Sequence, residues 1–272
     1  MYLQLFVTTP LFIRDFVNTS ILVDYLRQLS PQWLEYFSRV NIEQLSSAIN
    51  QQLGNNLTPD TISTNISAIY FDLVNYKVMV PRQEIIVGLQ AIAANDTTTI
   101  IMAQQWAENY RQINPEYIVN IAFGCIIVFQ ILISHYCAKL NLLPVIVIGT
   151  AIIALAMLIT GAAASNTMSG VIIIIAVIVF AFGEMIASPK SQEYVVTIAP
   201  KQHSAMYMGY YFVSMALGFL FAGLLSGWSY GLLAKTMNQS MLMWSLFASI
   251  GTLTCLALVW FNNNYIKICQ QS

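Results

Sequence analysis

Glu184 is the residue of this chain whose type and setting speak most directly of chemistry. It follows an unbroken apolar run, Val171-Ile-Ile-Ile-Ile-Ala-Val-Ile-Val-Phe-Ala-Phe. An acidic side chain near the centre of a membrane helix costs about 2.5–3.5 kcal/mol on insertion scales. A chain carries that cost where the charge faces a partner or a water-filled cavity. Glu184 therefore points to a polar pathway inside a membrane protein; the alternative is a helix-end glutamate that reaches the headgroups. The other reactive side chains form no constellation. No HExxH, no GxSxG and no paired aspartates fall within the apolar stretches, which argues against an intramembrane enzyme. His135 and His203 stand near the ends of those stretches and suit an interface. Cys125, Cys137, Cys255 and Cys269 show neither CxxC nor Cys/His spacing and read as buried free thiols. No catalytic residue, metal ligand or cofactor is expected.

The elements that must position Glu184 are membrane helices. The chain is 57% hydrophobic and 8% charged, with a mean hydropathy of +0.66, whereas soluble domains carry about 25% charged residues. The net charge of −1 gives no sign of a nucleic-acid partner, but its distribution is informative. Residues 1–116 hold six basic and ten acidic residues; residues 117–272 hold five lysines and two glutamates. Charges are absent from 117–138, 140–183, 202–234 and 236–266. The stretch 140–183 is too long for one helix, and Gly161-Ala-Ala-Ala-Ser-Asn-Thr-Met-Ser-Gly breaks it into a hairpin. Five spans follow, near 116–137, 143–163, 169–188, 204–226 and 241–261. Gly218, Gly223, Gly227 and Gly231 on one of them, and the pair Gly161 and Ser165, are small residues of the kind that let membrane helices approach closely.

The start of the chain reads differently. Its apolar run stops before Arg14 and Asp15, short of the about 17–25 residues a span needs, and Pro10 interrupts it. No basic segment precedes it, so it does not read as a signal peptide. It reads as a truncated helix, the remnant of a sixth span in a truncated or split protein. Residues 20–112 look soluble. Ile42, Leu45, Ile49 and Leu53 recur at helical spacing behind a capping Asn41, and Gly54-Asn55-Asn56 stops them. Amphipathic stretches follow at 61–80 and 84–94, parted by Pro81. The expected domains are thus a truncated transmembrane helix (1–18), an extracytoplasmic helical insertion lying on or near the membrane surface (19–112), a five-helix bundle (113–262) and a cytoplasmic tail (263–272). Lys139, Lys190, Lys201 and Lys267 fall on one side of this alternation and Lys235 on the other. The positive-inside rule makes the former side cytoplasmic, with the C-terminus.

Phe182-Gly-Glu-Met-Ile-Ala-Ser-Pro-Lys-Ser-Gln-Glu-Tyr, followed by Ile198-Ala-Pro-Lys, resembles the tenth-helix region of the proton-dependent oligopeptide transporters of the major facilitator superfamily. Gln112-Ile-Asn-Pro resembles that family's motif at the eighth helix, and Met208-Gly-Tyr-Tyr-Phe-Val-Ser-Met-Ala-Leu-Gly its eleventh. The resemblance covers residues 1–18 and about 100–262, and leaves out 20–98. It implies an all-α integral membrane fold, the second six-helix half of a major-facilitator fold with its first helix truncated and an external, mostly helical insertion.

The resemblance also implies roles. Glu184 would line the central cavity and face the amino group of a peptide. Asn114 would offer a donor and an acceptor to peptide backbone, and Tyr211 an aromatic wall. Lys190 and Glu193 are a candidate cytoplasmic gate. The chain departs from the family at Lys190, where many members have Thr, and at Phe219, where Asn is common. The first-helix acidic and arginine motif and the fourth-helix lysine are not in this chain, so proton coupling is implied by the resemblance alone. The expected function is proton-coupled uptake of di- and oligopeptides across the cytoplasmic membrane. The expected partners are peptide, protons, the lipid bilayer and the missing N-terminal six-helix half. Two alternatives stand: a transporter of another small solute, such as an amino acid or drug, and a membrane receptor or assembly protein acting through 19–112.

Overall fold

The computed structural model describes residues 2–54, 59–94, 96–164 and 168–266. Twelve α-helices occur among them. They are α1 (Tyr2–Phe16), α2 (Ser20–Leu29), α3 (Pro31–Ser38), α4 (Ile42–Gly54), α5 (Pro59–Asn75), α6 (Arg82–Ala93), α7 (Thr99–Asn109), α8 (Pro115–Cys137), α9 (Leu142–Ala163), α10 (Ser169–Ile198), α11 (Ser204–Ser229) and α12 (Ser240–Phe261). Wider-wound turns extend α11 over Tyr230–Thr236 and α12 over Asn262–Ile266. The one β-bridge among the described residues joins Val78 to Arg111. Among the described residues, five helices are long and apolar enough to cross a membrane, or six if the pair Leu3–Phe16 and Ser20–Leu29, bent by 86°, counts as one.

The chain divides into two compact units. The first comprises residues 1–10, 118–166 and 172–272, and the second 11–117 and 167–171. In the first, α9 and α12 lie side by side. A Cβ on Gly161 would stand 2.9 Å from the Trp244 Cβ, so the small residue expected there does admit a close neighbour. Ser165, its predicted partner, lies outside the described residues. Helices α9 and α10 approach more closely still. A Cβ on Gly149 would meet the Ala187 backbone nitrogen at 2.8 Å, and one on Gly183 would meet the Gly149 carbonyl oxygen at 2.9 Å. By contrast, nothing lies within 4 Å of a Cβ placed on Gly218, Gly223, Gly227 or Gly231. The glycine pattern on α11 thus packs against no described part of the chain.

The spans match the hydropathy boundaries at α8, α9 and α12, whereas α11 with its wider-wound turns runs past 226 to Thr236, and α10 passes the expected stop near 188 and continues through Pro189 to Ile198. Proline removes the N–H that would bond the carbonyl four residues back, here Met185. The Gln130 side chain on α8 donates to that carbonyl at 3.4 Å. A polar side chain from a neighbouring helix therefore serves the freed acceptor, which is how membrane helices tolerate proline.

The second unit has its own core. Leu45 and Ile49 of α4 meet Ile69 and Leu73 of α5, Ile85 and Leu89 of α6, and Met102 and Trp106 of α7, all buried. Ile42 and Leu53 pack against the edge of this cluster, so the spacing 42, 45, 49, 53 is indeed a core-facing stripe. Helix α5 ends at Asn75, short of the predicted Val80. There Lys77 takes a left-handed backbone (φ 64°) and begins the turn to the Val78 bridge. Asn55 and Asn56, read as the stop of α4, lie outside the described residues, as do Lys267 and Cys269. Cys125, Cys137 and Cys255 are free thiols, half-buried rather than buried, on helices whose flanks face outward.

Candidate functional site

Glu184, Ala187, Ser188 and Ser191 recur at the i, i+3, i+4, i+7 spacing that places side chains on one face of α10. Tyr211, Met215, Gly218, Phe219 and Ala222 do the same on α11. These two faces enclose a hollow of about 440 Å³. That volume is within the roughly 300–1,000 Å³ range of small-molecule sites. Glu184 is half-buried, and the Ser188 side chain one turn along hydrogen-bonds its carboxylate. It is the only charged residue among those that line the hollow. Tyr211, Met215 and Phe219 supply most of the wall opposite.

Two packing features hold Glu184 in place. The residue before it, Gly183, is pressed against α9, with Ile153 Cγ1 only 2.7 Å from where a Cβ would stand. On another side the Phe182 ring tilts against Phe129 of α8, centroids 5.5 Å apart. The main chain that carries Glu184 is thus fixed between α8 and α9, and its side chain faces the hollow.

A polar cluster closes the far end of α11. Ser226 donates to Gln4 Oε1 at 2.6 Å, the Thr8 and Ser226 hydroxyls lie 2.9 Å apart, and Thr8 also donates to Gln4. Gln4 reaches the Ala222 carbonyl at 3.5 Å. All three side chains are buried. Buried polar groups of this kind are satisfied by one another in lipid, and here they tie α1 to α11 beside the wall residue Ala222. Sequence reading missed them because Ser226 lies 218 positions from Thr8 and 222 from Gln4 along the chain. The uncharged polar residues inside otherwise apolar helices were the available signal.

The remaining predicted residues fall elsewhere. Lys190 is buried and pairs with Glu193 one turn on, Nζ to Oε2 at 2.7 Å, while Glu193 is half exposed. Asn114 belongs to the second unit. Its backbone N–H donates to the Phe37 carbonyl at 3.0 Å, and it lines a different hollow, with Arg39 and Lys77. The structure therefore brings Glu184 and Tyr211 together and puts Asn114 in another hollow.

The Major Facilitator Superfamily model matches residues 86–267, about two thirds of the chain. No curated protein and no solved structure matches it. With this match over two thirds of its length, and with five described helices long and apolar enough to cross a membrane, the chain belongs to the Major Facilitator Superfamily, a family of membrane transporters and not of enzymes.

Proposed function

We propose that this chain forms the second half of a secondary transporter that takes up small peptides together with protons across the cytoplasmic membrane. The observation that carries the reading is the single carboxylate, Glu184, in a hollow otherwise lined by an aromatic ring, small residues and apolar side chains. A peptide's amino terminus is a cation of matching size. In a partly desolvated hollow a carboxylate pairs with it more strongly than in water, while the Tyr211 and Phe219 surfaces accept varied side chains. The likeness of Gly183-Glu184 and Ala199-Pro200 to peptide transporters supports the same assignment. That likeness also assigns Asn114 to the substrate. Its position beside Arg39 and Lys77 adds nothing to that role, so Glu184 and Tyr211 carry the reading. Proton coupling rests on the likeness alone.

A further six-span half is the expected partner. No residue in the most apolar stretch of α11 is buried, and four glycines stand open on it. Transporter sites form at the interface of two such repeats. The Lys190–Glu193 pair would then work as a gate near the cytoplasmic end of α10, since half-exposed Glu193 makes parting the pair less costly than parting a fully buried one. The lysine bias supports an orientation with that end and the C-terminus inside and residues 19–112 outside.

Uptake competition tests the substrate class. Vesicles containing the complete transporter are loaded with labelled dialanine under an inward proton gradient. Unlabelled dipeptides should compete, and free alanine and cationic drugs should not. Competition by alanine or by a drug in place of dipeptide would refute peptide as the substrate.

A further inference from the structure

In the second unit, α3 is fastened to the first turn of span α8. Besides the Asn114 to Phe37 hydrogen bond, the Tyr117 ring meets Phe37 edge-on at 4.9 Å and Tyr36 at 5.5 Å. Tyr117 is two residues past Pro115, where the span begins. Helix α3 therefore lies beside the residues with which this candidate span begins. It shows Trp33 and Tyr36 to the surroundings, 60% and 67% exposed, and such rings prefer the headgroup layer.

Two hollows meet on this helix. One, of about 720 Å³, is polar and includes Arg39, Lys77, Asn114 and Tyr117 in its wall. The other, of about 320 Å³, is lined by Trp33, Phe37, Gln32 and Tyr36, and the last two line both. Glu35 also borders the polar hollow, but Arg111 pairs with it at 3.5 Å. Among the described residues no carboxylate lies within ion-pair reach of Arg39 or Lys77. Lys77 is held at the hollow by a left-handed turn, in which its carbonyl accepts from the Gln112 N–H at 2.9 Å. A lysine in a backbone conformation that favours glycine or asparagine is a local cost that a functional position can explain.

We propose that these adjoining hollows form a site for an anionic phospholipid. Arg39 and Lys77 take the phosphate oxygens by charge-assisted hydrogen bonds. Trp33 and Phe37 cover the interfacial start of an acyl chain. A soluble anion would use only the polar hollow; the aromatic hollow beside it, at the mouth of a membrane span, is what selects a lipid.

The purified full chain is placed in nanodiscs of phosphatidylcholine with phosphatidylglycerol, and the lipids it retains are counted by native mass spectrometry. Phosphatidylglycerol should be retained in preference to phosphatidylcholine. Arg39→Gln with Lys77→Gln should lower that retention by about 10–30-fold, because each cation near an anionic surface is worth about 1 kcal/mol. Lys139→Gln, a loop control, should leave it unchanged. Arg39→Lys with Lys77→Arg keeps both charges and should retain the lipid. Equal retention of the two lipids, or an unaffected Gln double variant, would overturn the proposal. So would loss of lipid in the charge-keeping pair, which would mean packing and not charge. Full displacement of phosphatidylglycerol by inorganic phosphate would show a soluble-anion site and overturn it as well.

Discussion

Gly149→Ala perturbs the α9–α10 contact that fixes Glu184 from a position that does not itself line the hollow. The new Cβ would lie 2.8 Å from the Ala187 nitrogen and 2.9 Å from the Ala187 Cβ. Carbon atoms rest about 3.5–4.0 Å apart, so α10 must retreat from α9 by roughly 0.6–1 Å. The atoms in the way are backbone and a Cβ, which have no rotamer to yield. Overpacking of this kind costs about 1–3 kcal/mol, and the better helix propensity of alanine returns at most about 1 kcal/mol. The expected net loss is about 0.5–2 kcal/mol. Gly227→Ala makes the same chemical change on α11, where nothing lies within 4 Å, and should be neutral or slightly stabilising. Both variants are unfolded by dodecyl sulfate in mixed micelles and followed by helical circular dichroism. Ala187 also lines the hollow, so Gly149→Ala should weaken peptide binding too. If Gly149→Ala proved as stable as Gly227→Ala, the α9–α10 contact would not be what holds Glu184, and the positioning argument would fail.

Gln130→Leu leaves the Met185 carbonyl without its donor beside Pro189 and should cost about 0.6–1 kcal/mol, read in the same micelle titration; no loss would mean that the 3.4 Å contact contributes nothing. Glu193→Gln removes the partner of a buried lysine and should destabilise the chain by about 1–3 kcal/mol, below the 3–5 kcal/mol of a fully buried pair because Glu193 is half exposed, with Lys190→Met, Glu193→Gln together recovering most of it. Burial first, and then the nearby Asp15 charge against an opposing Arg82, pushes the Tyr70 hydroxyl up from 10.0 to about 12. The folded state then holds that proton after the unfolded state has lost it, so stability falls as pH rises from 10 to about 12, by about 1 kcal/mol per unit; Tyr70→Phe should flatten the slope, and equal slopes would count against it. In a chain whose four native cysteines are replaced, an impermeant maleimide added outside should label a Cys at Asn50 and spare one at Gln202; the reverse would invert the proposed orientation.

What could be read in the sequence follows the range of each interaction. The α4 stripe and the five apolar stretches are local periodicities, and the helices start and stop close to where charge and hydropathy change. Glu184 stood out because burying a charge is costly wherever the helix goes. That Tyr211 would share its hollow depends on how α10 docks against α11, which no local pattern records. The glycine rows show the same limit. The GxxxG on α11 is visible and packs against no described residue, whereas Gly149, Gly183 and Ala187 make the tight contact from two helices and form no motif within one. That α10 runs on past 188 through Pro189 was not legible, because the donor that serves the freed Met185 carbonyl, Gln130, lies 55 residues earlier in the chain.

The central claim is that Glu184 meets the amino group of the substrate, and one substitution with two ligands tests it. In the complete transporter, Glu184→Gln keeps the side chain's shape and removes its charge. Cutting one partner from a buried ion pair costs about 3–5 kcal/mol, and water in the hollow screens part of that, so uptake of a free dipeptide should fall about 10–100-fold. The same dipeptide with an acetylated amino terminus has no charge to lose and should respond little. Equal losses for the free and the blocked peptide would contradict the account and place Glu184 in the scaffold or on the proton path.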